Sequence, residues 1–219
     1  EIILRSENED FLKLVTGCLW LLIYLGGVGS RSRRGAGSLK VKKVKPSNFV
    51  YDFVFEKNNV IDAKNFMEKN LKKIFDDFKK YVNEKHGIPQ RSPYFPILSK
   101  SSAKITLGPE YNDWKEALGE IEKKYKSFRR KELKGKKRKY RGLLGLPIIQ
   151  YSNWYRKRQP SPFHIGVMDL NKGYTTRVVK FYTSIHPEIN NEKRRSELKW
   201  VLDNLNKSLG DEIEVEIPG

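Results

Sequence analysis

Hydrophobic positions along this chain alternate between helical and strand periods. Phe11 to Leu25 is apolar nearly all round, with Asn8 or Asp10 placed to cap it. That pattern predicts a buried helix. From Asp62, taken as a cap, to about His86, apolar residues recur at helical spacing: Phe66 or Met67, Leu71, Ile74, Phe75, Phe78 and Val82. Lysines fill the other face, and Gly87 and Pro89 end the run. The stripe reads as core. Glu1–Arg5 reads as the end of a strand. Leu39, Val41 and Val44, with lysines between them and Pro46 after, predict a second, and Phe49–Phe55 a third.

Beyond Lys100 the order of elements carries more. Ala103–Leu107 predicts a strand. Asp113 then caps a helix carrying Trp114, Leu118, Ile121 and Tyr125. Phe163, Ile165 and Val167 alternate with His164 and Gly166, Asn171-Lys172-Gly173 reads as a hairpin turn, and Arg177–Ser184 returns. Asn191–Leu209 is helical with Leu198, Val201, Leu202, Leu205 and Leu209 inward, Gly210 stops it, and Glu212–Ile217 is a last strand. The order β-α-β-β-α-β is the ferredoxin-like arrangement. The expected fold class is α+β: tandem ferredoxin-like (RRM-like, βαββαβ) domains, the first incomplete. Residues 1–45 would be the back half of the first domain, 46–99 a connecting segment, and 100–219 the second domain. The chain opens inside a strand and lacks an initiator Met. A front half of the first domain is therefore expected elsewhere, as a partner of this piece.

Composition changes the picture at once. Forty-four Lys and Arg against 26 Asp and Glu leave a net charge of +18. Nucleic acid is the first partner this implies, an anionic membrane surface the second. No basic amphipathic helix supports the membrane, and Phe11–Leu25 is too short to cross a bilayer. The lone cysteine, Cys18, reads as a small core residue and excludes an internal disulfide framework. A reducing, cytoplasmic setting follows.

The basic residues cluster in three places. Between the first helix and the Leu39 strand, five glycines and three arginines share Gly26 to Ser38. Gly27, Gly29, Gly35 and Gly37 would let backbone approach a ligand closely, while Arg31, Arg33 and Arg34, continued by Lys40, Lys42 and Lys43, supply charge. The loop lacks the Gly-Lys-Ser/Thr of a nucleotide P-loop. The middle cluster includes Arg129, Arg130, Lys136, Lys137, Arg138 and Arg141, part of it expected to be a mobile loop. The third interleaves Tyr151, Trp154 and Tyr155 with Arg156, Lys157 and Arg158, a pattern suited to stacking exposed bases while tracking phosphates.

Catalytic signals are weak. His86, His164 and His186 are far apart, and only His164 is placed to touch a ligand. Asp76-Asp77 reads as a surface pair. No metal-ligand or cofactor spacing stands out, so no metal and no cofactor are expected.

The Gly26–Ser38 loop, lying between a ferredoxin-like domain's second helix and last strand, resembles the RAMP superfamily of CRISPR-associated proteins. More narrowly it resembles the "GG-G-R-RRG-GS" loop of the family of first-numbered subunits of the Cmr (type III-B) effector complex. Tyr94-Phe95-Pro96, Asp113-Trp114, Tyr125 with Phe128-Arg129, and Gly145-Leu146-Pro147 agree. Arg158-Gln159-Pro160-Ser161-Pro162-Phe163-His164 is similar to the family's "RR-SP-H" segment, with Gln159 replacing one arginine; Ala36 stands where a larger residue is often found. The resemblance implies a non-catalytic subunit acting in antiviral defence. Such a subunit would bind single-stranded guide RNA near its 3′ end, target RNA, and other RAMP subunits. The alternative, since some RAMP proteins with similar loops cleave RNA, is a metal-independent endoribonuclease processing precursor RNA, with His164 as its candidate acid or base.

Overall fold

A computed structural model of the chain describes residues 1–29, 32–46, 49–85, 97–144, 161–183, 192–210 and 212–219. Four strands form one antiparallel sheet: β1 (Ala103–Tyr111), β2 (Phe163–Asp169), β3 (Tyr174–Phe181) and β4 (Ile213–Val215), in the order β2-β3-β1-β4. Helix α3 (Trp114–Lys131) connects β1 toward β2, and α4 (Glu192–Leu209) precedes β4. Residues 103–215 thus follow the β-α-β-β-α-β order that periodicity predicts. The β2–β3 hairpin turns at Asn171, whose φ is 64°, with Leu170 N–H donating to the Gly173 carbonyl at 2.7 Å.

Both faces of the sheet are covered. On one, α3, α4 and a 3-10 helix, η1 (Gly135–Leu144), pack around Ile121, Phe128, Ile165, Val178 and the Leu198–Leu209 stripe. On the other, α1 (Glu9–Tyr24) and α2 (Val60–Lys85) meet Ile105, Leu107, Met168 and Val179. An RRM-like domain stacks bases on an open sheet face. Here that face lies under α1, α2 and residues 51–55, which closes it to such stacking.

Several sequence expectations change. Residues 1–5 and 39–45 form no strand. Tyr51, Phe53 and Phe55 are buried in alternation as expected, yet 49–55 has no ladder partner. Side chains serve its backbone instead: Trp20 Nε1 donates to the Asp52 carbonyl at 3.0 Å, Tyr24 Oη to Phe53, and Asp52 N–H to buried Asn70. Helix α1 buries only one face, through Thr16, Gly17, Trp20, Ile23 and Tyr24. Phe11, Cys18 and Leu22 are exposed on the other, so Cys18 is not a core residue. The α2 stripe is core as expected, through Ala63, Met67, Leu71 and Ile74. Its cap is Asn59 rather than Asp62, with Asp62 N–H donating to Asn59 Oδ1 at 2.7 Å and Asn59 Nδ2 to Asp62 Oδ2 at 2.8 Å. Asp77 is half-buried and accepts from Tyr51 Oη at 2.7 Å, while Asp76 stays at the surface. Asp113 takes the N-cap position of α3 without a side-chain bond, and the buried stripe runs Ala117, Ile121, Phe128, leaving Trp114 exposed.

Candidate nucleic-acid interface

Strand β2 is an edge strand, and an edge leaves unpaired N–H and C=O groups. The Gly/Arg loop fills that role. Ile165 N–H donates to the Arg33 carbonyl at 3.1 Å, and Val167 N–H donates to Ser38 Oγ at 2.9 Å. Arg34 and Ile165 form an isolated parallel bridge. Val28 N–H closes the loop onto the Gly37 carbonyl at 3.0 Å. Arg33 and Arg34 are therefore held by backbone, with their guanidinium groups exposed.

Several of the loop glycines also have packing roles. Gly35 has a φ of 87°, and a Cβ there would run into Leu118 Cδ1 on α3. It lets the loop seat against α3. Gly29 is exposed with open space around it, so it alone of the described loop glycines keeps the expected freedom to meet a ligand. Gly27 and Gly37 pack on each other across the loop closure.

Seating on α3 brings two of the basic clusters together. Tyr125 of α3 sits edge-on to Phe163 of β2 at 5.1 Å, and the Arg129 guanidinium lies 5.8 Å from the Tyr125 ring centre. Burial raises the Tyr125 pKa, and the charges of Arg129 and Arg34 both oppose that rise. Arg34 and Arg129, far apart in sequence, thus act on one hydroxyl. Arg130 and the residues Lys136 and Lys137 of η1 continue the exposed basic surface. The middle cluster is consequently helical, not a mobile loop: Lys123–Lys131 belongs to α3 and Gly135–Leu144 to η1, with Leu133, Leu143 and Leu144 buried to anchor it.

Other cations close helix ends. Buried Arg177 on β3 donates through Nη1 to the Ile23 carbonyl at 3.3 Å and to the Tyr24 carbonyl, and through Nη2 to the Gly26 carbonyl at 2.8 Å. These are C-terminal carbonyls of α1, where partial negative charge accumulates. Gly166 on β2 makes the slot, since a Cβ there would collide with the guanidinium. Burial lowers the Arg177 pKa to about 10, which leaves it charged at neutral pH. Arg141 Nη2 likewise donates to the Arg129 carbonyl at 2.9 Å, and Lys124 Nζ to the Leu209 carbonyl at 2.6 Å. Arg141 is thus partly committed to the end of α3. Lys40 pairs with Asp169 at 2.9 Å, tying the segment after the loop to β2, while Lys42 is exposed.

His164 is half-buried beside this patch, 5.5 Å from Phe181 and tilted to it. Burial first, then the Arg33 and Arg177 charges, push its pKa down to about 4. It is neutral at pH 7, and so far below neutrality that it makes a poor proton donor there. Among the described residues no group of three His, Cys, Asp or Glu side chains could hold a metal ion, and no helix is long and apolar enough to cross a membrane.

Arg31, Trp154, Arg156 and Arg158 lie outside the described residues, as does the Arg138 side chain. Sequence reasoning missed Arg177, Ser38 and Tyr125's position between two arginines. Only Gly166, opposite Arg177 on the neighbouring strand, could have hinted at the first.

A family model described as Cmr1-like, C-terminal, matches residues 101–215. The CRISPR system Cmr subunit Cmr1-1 of Pyrococcus furiosus is 32% identical over 195 residues, covering 86% of this chain and 54% of that protein. Cmr1-2 of the same organism is 50% identical over 44 residues, which are 20% of this chain and 24% of that protein. The crystal structure of Cmr1 from Pyrococcus furiosus in its apo form shares the fold with a TM-score of 0.59 at 24% identity, covering 96% of this chain and 61% of that one. This chain spans about half the length of the first of these relatives.

Proposed function

This chain belongs to the Cmr1-like family, and on that premise we propose that it is a non-catalytic, RNA-binding part of a CRISPR Cmr effector complex. The observation that carries the reading is the meeting of Arg34 and Arg129 at Tyr125, with Arg33 held beside them on the β2 edge. Exposed guanidinium groups on a backbone-fixed loop suit phosphates, and a chain of net charge +18 is drawn to a polyanion. The RNA is the single-stranded guide near its 3′ end, with the paired target beside it. Other RAMP subunits of a cytoplasmic complex flank it, and antiviral defence is the role.

We infer as well that residues 1–45 are the back half of a first ferredoxin-like domain that precedes the second in tandem. The uncovered face of α1, with Phe11, Cys18 and Leu22 exposed, suits a helix whose sheet partners come from the front half of a first ferredoxin-like domain.

The alternative, an endoribonuclease centred on His164, is less well supported. An imidazole pushed down to about 4 by burial, and further by the Arg33 and Arg177 charges, is tuned away from acid catalysis at neutral pH. The test is anisotropy of labelled single-stranded RNA with the full-length protein over a salt series, followed by a denaturing gel. Tight, salt-dependent binding with intact RNA is expected. Shortened RNA without added metal, abolished by His164→Ala, would replace this proposal with the nuclease.

A further inference from the structure

Helix α4 presents a tryptophan off its core stripe. Leu198, Val201, Leu202 and Leu205 face the sheet and are buried, whereas Lys193, Glu197 and Trp200 follow one another at i, i+4 and i+7 along the flank. Trp200 is half-buried, with part of its body against the second core cluster. Its remaining surface lines a cleft of about 500 Å³ shared with Lys137 and Tyr140 of η1 and with Ser196. That volume lies within the roughly 300–1,000 Å³ of small-ligand sites. The Tyr140 ring stands 5.7 Å from Trp200 at 52°, so the two aromatics open as a V. Lys137 Nζ sits 4.7 Å from the Trp200 ring centre.

The charge of the cleft is cationic in its free groups. Glu197 is ion-paired with Arg194, while neither Lys137 nor Lys193 has a carboxylate partner among the described residues. An aromatic wall with two ammonium groups that have no carboxylate partner among the described residues fits a flat, π-faced ligand carrying phosphate. A chain of contacts leads from the cleft toward the arginine patch. Arg141, next to Tyr140, donates to the Arg129 carbonyl; Arg129 lies over Tyr125, and Arg34 acts on the same ring from the loop.

We propose that the cleft between η1 and α4 is a nucleobase-stacking subsite, where one base of the bound single-stranded RNA lies on Trp200 beside Tyr140. Lys137 and Lys193 take the flanking phosphates. The Lys137 ammonium now over the indole yields that ring face to the base and moves to the phosphate. This rests on the RNA-binding reading above and extends its track from the β2 edge across the end of α3.

Two measurements on the full-length protein test it. The first crosslinks RNA carrying 4-thiouridine and maps adducts by mass spectrometry. Adducts on Tyr140 or Trp200 are expected, and adducts confined to other peptides overturn the subsite. The second measures affinity and salt slope for Trp200→Leu and Trp200→Phe. Loss of one stacked base weakens binding about 5- to 150-fold. Trp200→Leu is expected to lose affinity in that range with its salt slope unchanged, because no phosphate contact is removed, and Trp200→Phe to recover most of it. Wild-type affinity in Trp200→Leu overturns the subsite and leaves RNA binding standing. Absence of RNA binding by the wild-type protein overturns both. Should Trp200→Leu unfold, the crosslink map decides alone.

Discussion

Replacing Arg177 by methionine should loosen the arginine loop without touching a ligand. Its guanidinium serves three carbonyls, those of Ile23, Tyr24 and Gly26, at the end of α1. Hydrogen bonds from a charged group contribute about 1.5–3 kcal/mol each, and each acceptor left buried and unsatisfied costs about 1–3 kcal/mol. Against this, Arg177→Met removes a buried charge whose desolvation costs several kcal/mol. Methionine also fills most of the slot beside Gly166. The difference should come to about 3 kcal/mol of lost stability. For a chain of this size that lowers Tm by about 6–12 °C. Arg177→Lys keeps the charge but reaches fewer carbonyls, so about half the loss is expected. Urea unfolding supplies the energy and hydrogen exchange the location. The amides of Val28 and Ile165, whose acceptors belong to the loop, should exchange faster than those of the α4 core. An Arg177→Met variant within about 1 kcal/mol of wild type, with unchanged exchange at Val28 and Ile165, would refute the assignment of Arg177 as the anchor of the loop.

Three further outcomes are expected. Buried Lys180 pairs with Glu212 at 2.9 Å and also donates to Thr106, so Glu212→Gln should cost about 3–5 kcal/mol, whereas Lys180→Met with Glu212→Leu should lie near wild type; equal losses in urea would contradict this. Gly35→Ala should lose about 1–3 kcal/mol from its positive φ and its overlap with Leu118, and adding Leu118→Ala should return the overlap part, as a double-mutant cycle in urea would reveal. His164 titrates near 4 in the fold against an ordinary 6.5, so between these values the unfolded chain binds more protons and stability falls as pH falls, by at most about 3 kcal/mol across the window. His164→Gln should flatten that arm of the stability–pH curve; identical curves for both proteins would dismiss the shift.

Much of the second half of the fold is legible in periodicity. Alternation in Phe163–Val167, the Asn171-Lys172-Gly173 turn and the leucine stripe of α4 each combine a local preference with a burial pattern, and these agree. The first half is less legible because alternation reports burial on one side, not a ladder partner. Residues 49–55 alternate as a strand would, yet Trp20, Tyr24 and Asn70 satisfy their backbone. The apolar sweep of Phe11–Leu25 likewise does not say which face is covered, and Cys18 lies on the uncovered one. Of the candidate site, the arginines of the loop stand out by composition. Their meeting with Arg129 depends on the long-range seat of Gly35 on Leu118. Arg177 was hidden because an arginine in a strand reads as solvent-facing, and nothing local reveals three carbonyls waiting above it.

The most direct measurement compares wild-type protein with an Arg33→Ala, Arg34→Ala double variant, both full length, binding labelled single-stranded RNA over a salt series. Both side chains are exposed, so the fold should persist. If each contacts one phosphate, the slope of log K against log salt becomes shallower by about 1.4, at about 0.7 per contact on single strands, and affinity falls at low salt. An unchanged slope and affinity would place the RNA elsewhere and contradict the account.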